Sequence, residues 1–163
     1  MQLLRYFQSV VYVTLRPERL SFLDVKSGRS VSEPPLVALS REPRKRLLAV
    51  GEAARVMAAT QPVDLVNPFE HPRSLVSDFT VAEAVMKGFM ARLFAGRLFA
   101  ARPIVVLHPR TDPEGGFTQV EIRAFQELAT GAGAAKVLVW HGRELTKDEL
   151  LSLKFGSGGR LLA

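Results

Sequence analysis

The order of hydrophobic and polar positions gives the first part of the chain the pattern of short strands. Residues Val10 to Leu15 are rich in β-branched side chains, and Leu20 to Val25 form a second such run after a charged turn at 16–19. Pro35 to Ser40 give a third apolar run. Three short runs joined by tight turns predict an antiparallel meander at the start of the fold.

The region that follows contains only short elements. A basic loop at 41–46 precedes a predicted strand, Leu47 to Val50, and a predicted short helix, Glu52 to Ala59. Three prolines exclude a regular helix from residues 61–73, which we expect to be irregular. The pattern indicates a small insertion, at about residues 41–79, in a larger domain.

The second half alternates between helix and strand patterns. Apolar runs at Pro103 to Leu107 and Lys136 to Trp140 are typical of buried strands, and the glycine-rich residues 156–163 predict a flexible tail. Threonine followed three positions later by glutamate is a capping box that begins a helix. That motif stands at Thr80-Val81-Ala82-Glu83, at Thr118-Gln119-Val120-Glu121 and at Thr146-Lys147-Asp148-Glu149.

The resulting order is three strands, a small insert, and then helix, strand, helix, strand, helix. This order predicts an α/β fold: a mixed sheet with flanking helices, as in the ribonuclease-H-like layout. In the first of these helices Phe89 and Leu93 continue an apolar face at a spacing of four, which favours core packing. Leu98 and Phe99, just beyond it, are candidates for a partner surface.

Composition narrows the class of protein. The 163 residues suit one domain, and 47% hydrophobic content supports a real core. There is no cysteine, which excludes disulfides and thiolate metal sites, and the three histidines lack metal-ligand spacing.

No apolar run reaches about 20 residues and no signal peptide is evident, so we expect a cytoplasmic protein. A net charge of +6 favours anionic surfaces in general.

Several stretches together resemble the first lobe of MreB, the actin-like rod-shape family of bacteria. The resemblance runs from about Val10 to Trp140, and its closest block is Gln119 to Val137. It implies an actin-like fold over residues 9–155, from a two-lobed ATP-binding family that polymerises beneath the membrane. The stretches are Glu33-Pro34-Pro35-Leu36-Val37-Ala38-Leu39, Leu48-Ala49-Val50-Gly51-Glu52-Ala53-Ala54, Val120-Glu121-Ile122-Arg123-Ala124-Phe125 and Gly131-Ala132-Gly133-Ala134.

The residues that the family uses on nucleotide are replaced here. In the hairpin that approaches the phosphates, Thr14 stands for the metal-positioning aspartate and Arg16 for a glycine, and Pro17 removes a backbone donor. Where the family has paired glutamates, one of which polarises water, this sequence has His141 and Gly142. The sequence also stops before a second lobe. We therefore expect no catalytic residue, no nucleotide cofactor and no metal.

Two further segments are candidate contact sites. The N-terminal segment, residues 1–8, is similar to the short amphipathic segment by which some bacterial actins touch the membrane, although it could equally be a strand extension packed on the domain. Its candidate membrane residues are Leu3, Leu4 and Phe7. The basic loop is either solvated or an anionic contact, through Arg41, Arg44, Lys45 and Arg46.

The leading hypothesis is a non-catalytic, single-lobe MreB-like protein that acts by protein–protein contact in a cytoskeletal or cell-shape assembly. Its partners would be other proteins, a second copy in a homodimer, or an actin-like filament, with weak contact at the inner membrane face. The alternatives are half of a split ATP-binding actin-like protein and a basic nucleic-acid-binding domain. Nucleic acid is disfavoured because no aromatic residues interleave the basic loop. A nuclease is disfavoured because the strands Val10 to Leu15 and Pro103 to Leu107 carry no acidic residues.

Overall fold

A computed structural model describes residues 8–70, 76, 78–97 and 101–163. The helices are α1 (Glu52–Thr60), α2 (Phe79–Leu93), α3 (Gln119–Gly131) and α4 (Lys147–Ser152). The strands are β1 (Val10–Leu15), β2 (Leu20–Asp24), β3 (Ser30–Glu33), β4 (Val37–Ser40), β5 (Leu47–Val50), β6 (Val63–Val66), β7 (Ile104–Pro109), β8 (Lys136–Gly142) and β9 (Gly159–Leu161).

The main sheet is mixed, with strand order β3-β2-β1-β7-β8-β9. Strands β1, β2 and β3 form an antiparallel meander, while β7 and β8 run parallel to β1 and β9 returns antiparallel to β8. The parallel pairs need crossover connections, which α2 and α3 supply. The predicted α/β class and the mixed sheet with flanking helices are confirmed.

The central strands are buried on both faces because helices cover each side of the sheet. On one side, Val11, Val13 and Leu107 join Phe89 of α2 and Phe125 of α3 in the larger core. On the other side, α4 covers a smaller core. That core contains Val10, Tyr12, Val25, Val106, Trp140, Leu145 and Leu150. The prediction that Phe89 and Leu93 pack in the core is confirmed.

A second sheet of three strands, in the order β5-β4-β6, forms a small unit with α1. One face packs under α1 through Ala38, Ala54 and Val63, and the other joins the main core through Val37. The sequence prediction was wrong here in two respects. The third strand of the meander is Ser30–Glu33 rather than 35–40, and a regular strand, Val63–Val66, lies in the region expected to be irregular.

One carboxylate at the end of β3 links the small unit to the main domain. The Glu33 carboxylate, at the end of β3, accepts hydrogen bonds from the Arg92 guanidinium of α2 and from the Glu52 backbone N–H at the start of α1. The hydrogen bond from Arg92 is the main cause that holds the pKa of Glu33 below its ordinary value. Strand β3 and the helices α2 and α1 therefore meet at one carboxylate.

Two of the three predicted capping boxes are confirmed. Thr118 with Glu121 begins α3 and Thr146 with Glu149 begins α4, and in both the side chains satisfy free N–H groups reciprocally. The box predicted at Thr80 was wrong. Asp78 caps α2 instead, accepting a hydrogen bond from the Val81 backbone N–H at 3.1 Å, which places Thr80 inside the first turn.

The C-terminal residues also differ from the prediction of a flexible tail. Residues 159–161 form β9, which pairs with the outer edge of β8. Leu162 donates its backbone N–H to the Val139 carbonyl at 2.7 Å and packs against the main core. The glycines that suggested flexibility are needed for the close approach of this strand. Within the described residues, no helix is both long enough and apolar enough to cross a bilayer.

Candidate functional site

The carboxyl edge of the sheet is where the three parallel strands β1, β7 and β8 end. Residues at this edge come from three distant parts of the sequence, because parallel strands bring their carboxyl ends together. In α/β sheets such an edge is the usual place for a ligand. The side chains and turns at it include Thr14, Arg16, Pro17, His108, Arg110, His141 and Gly142.

Two backbone N–H groups of the β1–β2 turn donate within the turn itself. Arg16 donates its N–H to the Arg19 carbonyl at 2.9 Å, and Arg19 donates its N–H to the Arg16 carbonyl at 3.3 Å. Pro17 between them has no N–H, and its carbonyl accepts a hydrogen bond from the Asn67 amide at 2.7 Å. A phosphate cradle needs several free N–H groups that point at the ligand, and this turn leaves few of them.

A buried chain of hydrogen bonds crosses the edge. The Tyr12 hydroxyl lies 2.6 Å from His108 Nδ1, and His108 Nε2 lies 3.0 Å from the Gly142 carbonyl. A carbonyl can only accept, so Nε2 carries the proton and Nδ1 accepts from the tyrosine hydroxyl. Three adjacent strands, β1, β7 and β8, are thus tied together by a neutral imidazole.

Burial controls the protonation of this chain. It lowers the pKa of His108 from its ordinary 6.5 to about 4, helped by the positive charge of Arg110 and, more weakly, of Arg16. Burial also raises the pKa of Tyr12. Both groups are therefore neutral near pH 7, which suits a structural link better than a proton-transfer role.

Gly142 occupies a position that no side chain can share. Its φ is +147°, a conformation that L residues rarely adopt. A Cβ built there would lie 2.3 Å from the Gly159 Cα and 2.5 Å from the Gly158 carbonyl oxygen. Strand β9 therefore fills the space beside this residue, and a glutamate at position 142 would collide with it.

The remaining side chains at the edge are mostly cationic. Arg16 is exposed and Arg110 is half-buried, with its Nη1 atom enclosed and without a hydrogen-bond partner among the described residues. His141 Nε2 lies 3.2 Å from the exposed Asp112 carboxylate, and its ring meets Phe117 edge-on. In the part of the chain that the structure describes, no group of three His, Cys, Asp or Glu side chains could hold a metal ion.

The basic loop is largely paired within the chain. Arg41 and Lys45 both contact the Asp64 carboxylate of β6, at 3.3 and 3.0 Å, and the hydrogen bond from Lys45 is the main cause lowering the pKa of Asp64. Arg46 pairs with Glu42 at 2.8 Å. These pairs are exposed and contribute little stability. Of the four candidate cations, Arg44 is the one that forms no ion pair with any described residue.

The other candidate contact residues lie outside the described residues. These are the membrane candidates Leu3, Leu4 and Phe7 and the partner-surface candidates Leu98 and Phe99.

Comparison with known proteins decides the family. The family model described as MreB/Mbl protein matches residues 23–144, which is most of the chain. The chain belongs to the MreB/Mbl family. Its relatives include the cell shape-determining protein MreB of Haemophilus influenzae, 31% identical over 116 residues, and Mbl of Bacillus subtilis, 33% identical over 110 residues.

The match covers only part of those family members. It spans 69% of this chain and 32% of the Haemophilus MreB, and 68% of this chain and 31% of the Bacillus Mbl. The chain thus spans about a third of the length of the curated MreB/Mbl relatives it matches. The fold agrees: the crystal structure of MreB5 of Spiroplasma citri bound to ADP aligns with a TM-score of 0.62 and 24% identity, over 81% of this chain and 37% of that one.

The sequence indicated five residues of this edge but not the hydrogen bonds that join its three strands. Thr14, Arg16, Pro17, His141 and Gly142 were found through the family resemblance, and all belong to the carboxyl edge. The Tyr12–His108–Gly142 chain was missed, because it depends on strand register. The available signal was a histidine placed directly after the buried run Ile104–Leu107.

Proposed function

We propose that this chain is a non-catalytic MreB/Mbl-type lobe that acts through protein contacts in a cell-shape assembly. The observation that carries the proposal is the closed carboxyl edge of the sheet. Where the family resemblance places nucleotide phosphates, this chain has a self-satisfied turn, a neutral histidine link and a strand packed against Gly142.

The chemistry of phosphoryl transfer supports this interpretation. It depends on positioning and on stabilising negative charge, usually through a metal ion held by carboxylates. Thr14 supplies no carboxylate. Position 142 has no room for an acidic side chain, because Gly158 and Gly159 lie against it. The edge cations could attract an anion, but they neither hold a magnesium ion nor orient water.

The distribution of exposed apolar side chains supports a role in protein contact. Among the described residues the large exposed apolar side chains are Leu47, Leu48, Val56, Leu65, Phe79, Val120, Leu151 and Leu161. The first four lie in the small unit of β4, β5, β6 and α1. Apolar exposure concentrated on one unit marks an interaction surface better than scattered residues do.

The test is thermal unfolding with and without ATP and magnesium. A nucleotide that binds only the folded state adds about 2.7 kcal/mol of stability at a hundredfold excess over its dissociation constant. We expect no rise in Tm, either for the wild type or for Thr14→Asp/Arg16→Gly, which restores the family residues in the turn. The second expectation follows because β9 still fills the space beside Gly142.

ADP with magnesium and ATP with EDTA serve as the comparison conditions. A magnesium-dependent rise in Tm that grows with ATP concentration would contradict the proposal. That result would favour half of a split ATP-binding protein, the alternative in which the edge cations act as phosphate ligands.

A further inference from the structure

Strand β9 is held to β8 chiefly through its backbone. Its three residues, Gly159–Leu161, are all exposed. The pair is antiparallel, with Arg160 opposite His141, and just beyond it the Val139 N–H donates to the Ala163 carbonyl at 2.9 Å. Main-chain hydrogen bonds of this kind do not depend on which chain supplies the added strand. The β8 edge therefore fits the β9 of a second copy as well as its own.

The connection from α4 to β9, residues 153–158, is short and strained. Leu153 ends α4 with a φ of +54°, and it is the one non-glycine residue with a positive φ in the part of the chain that the structure describes. A side chain in this left-handed conformation is crowded against the following carbonyl oxygen. An extended connection relieves the crowding, and short hinges under strain favour exchange of the element that follows them.

We propose that β9 is exchanged between two copies of this chain, so that the β9 of each copy pairs with the β8 of the other. The contacts of the β8–β9 pair are the same in both states, so exchange costs none of them. The balance then depends on the connection and on protein concentration. Six residues span up to about 20 Å when extended, which reaches a copy whose β8 edge lies alongside.

Two side chains oppose exchange by holding the connection in its unexchanged form. Arg143 donates from Nε to the Ser157 carbonyl at 2.7 Å, and the Glu149 carboxylate accepts from the Gly156 N–H at 2.9 Å. Arg143 and Glu149 also form an ion pair with each other. Because Gly156 and Ser157 belong to the connection, these contacts are lost when it extends. Leu153 and the Arg143–Glu149 pair therefore act in opposite directions on the exchange.

Exchange would place part of a second copy at the carboxyl edge. The strand against Gly142 would then come from the other chain, which ties the closure of that edge to self-association. This contact lies at the β8 edge of the main sheet, whereas the small unit adjoins the opposite edge at β3. The inference therefore depends neither on the apolar surface of the small unit nor on whether the carboxyl edge binds nucleotide.

Single-cysteine variants test the exchange, because the chain contains no cysteine. His141→Cys and Arg160→Cys stand opposite each other in the β8–β9 register, where Cβ atoms lie about 5 Å apart. The two variants are mixed at high protein concentration, incubated, and treated with a short bis-maleimide. A cross-link between the two different chains shows β9 of one chain beside β8 of the other. The matched control mixes His141→Cys with Val120→Cys, an exposed position on α3.

We expect a cross-link yield about tenfold above the Val120 control, because exchange holds the two thiols at this spacing. Adding Arg143→Gln to both chains should raise the yield about threefold, because the ion pair and hydrogen bond that it removes stabilise only the unexchanged form. Adding Leu153→Asn should lower the yield about fivefold, because asparagine tolerates the left-handed conformation. Leu153→Ala loses the same packing but keeps the strain, so it should not lower the yield.

Three results would overturn the exchange. They are a yield no higher than that of the Val120 control, no change with Arg143→Gln, and equal yields for Leu153→Asn and Leu153→Ala. The double variant His141→Cys/Arg160→Cys, cross-linked at low protein concentration, measures the unexchanged form. It should link within one chain, and failure to do so would remove the strand pair on which the exchange rests.

Discussion

The buried imidazole of His108 makes the stability of the carboxyl edge depend on pH. His108 is 1% exposed, and both of its ring nitrogens are engaged while it is neutral. Protonation would place a second proton on Nδ1, against the Tyr12 hydroxyl, and would put a charge beside Arg110. The folded state therefore binds that proton less readily than the unfolded state does.

The sign of the pH dependence follows from this difference. The folded pKa of His108 is about 4 and the ordinary value is 6.5, so between these values the unfolded chain binds more protons. We expect the free energy of unfolding to fall as pH drops through this window, by about 3 kcal/mol at 1.36 kcal/mol per pKa unit. Urea unfolding of the wild type at several pH values measures it.

The comparison variant is His108→Gln, whose amide can donate to the Gly142 carbonyl and accept from Tyr12. The unfolding free energy of His108→Gln should lack the pH dependence that His108 contributes. The unfolding free energy of His141→Gln should retain that pH dependence. An imidazole signal of His108 that titrates near pH 6.5 would show that this interpretation is wrong.

Strands β8 and β9 depend on close approach of their backbones. Gly142 has a positive φ and faces Gly158 and Gly159, whereas Gly115, at φ +82°, has no atom within 4 Å of the position that a Cβ would take. Gly115→Ala therefore adds backbone strain alone, about 1 kcal/mol. Gly142→Ala adds the same kind of strain and also a collision with β9.

We expect Gly142→Ala to destabilise the protein by about 2–4 kcal/mol, clearly more than Gly115→Ala does. Urea unfolding measures both. Hydrogen exchange should show faster exchange at the Arg143 and Leu162 amides, which donate to Gly158 and Val139 across this strand pair. Equal costs for the two substitutions would mean that β9 does not hold Gly142 in place.

Helices and buried strands were predictable because their signals are local. The boxes at Thr118 and Thr146 and the apolar run before His108 each carry the cause of an element within a few residues. The prediction at Thr80 was wrong because Asp78 and Thr80 could each cap the start of the same helix. In the structure the Asp78 side chain accepts the hydrogen bond from the Val81 N–H, so the helix begins after Asp78. Strand β9 was not predicted for another reason. Its glycines suggested a flexible tail, but they are needed for close contact with Gly142, which is distant in sequence.

The same distinction applies to the carboxyl edge. Its substitutions at Thr14, Arg16 and Gly142 can be read from the chain once the family resemblance is recognised. The hydrogen bond from Tyr12 to His108 cannot, because it requires the parallel register in which Thr14 lies opposite His108. The contacts that surround these positions are set by tertiary packing, and single-sequence patterns carry little of that information.

For the molecule as a whole, net charge and exposed apolar side chains have opposite effects on self-association. A net charge of +6 makes two copies repel, and salt screens that repulsion. The exposed Leu47, Leu48, Val56 and Leu65 of the small unit favour association. Strands β5 and β6 are also the edges of their sheet, where unpaired backbone groups can take another strand.

These opposing effects predict self-association that strengthens, rather than weakens, as salt rises. Sedimentation velocity over a range of protein concentrations at about 50 and 300 mM salt measures it. Leu48→Asp/Leu65→Asp places charges on both edge strands of the small sheet and should shift the association at least tenfold toward monomer. Val120→Asp/Leu151→Asp makes the same change of charge at exposed positions of α3 and α4 and should leave it nearly unchanged. A monomer at every concentration and salt would remove the small unit as a self-association surface, and association that weakens with salt would indicate charge-driven contact instead.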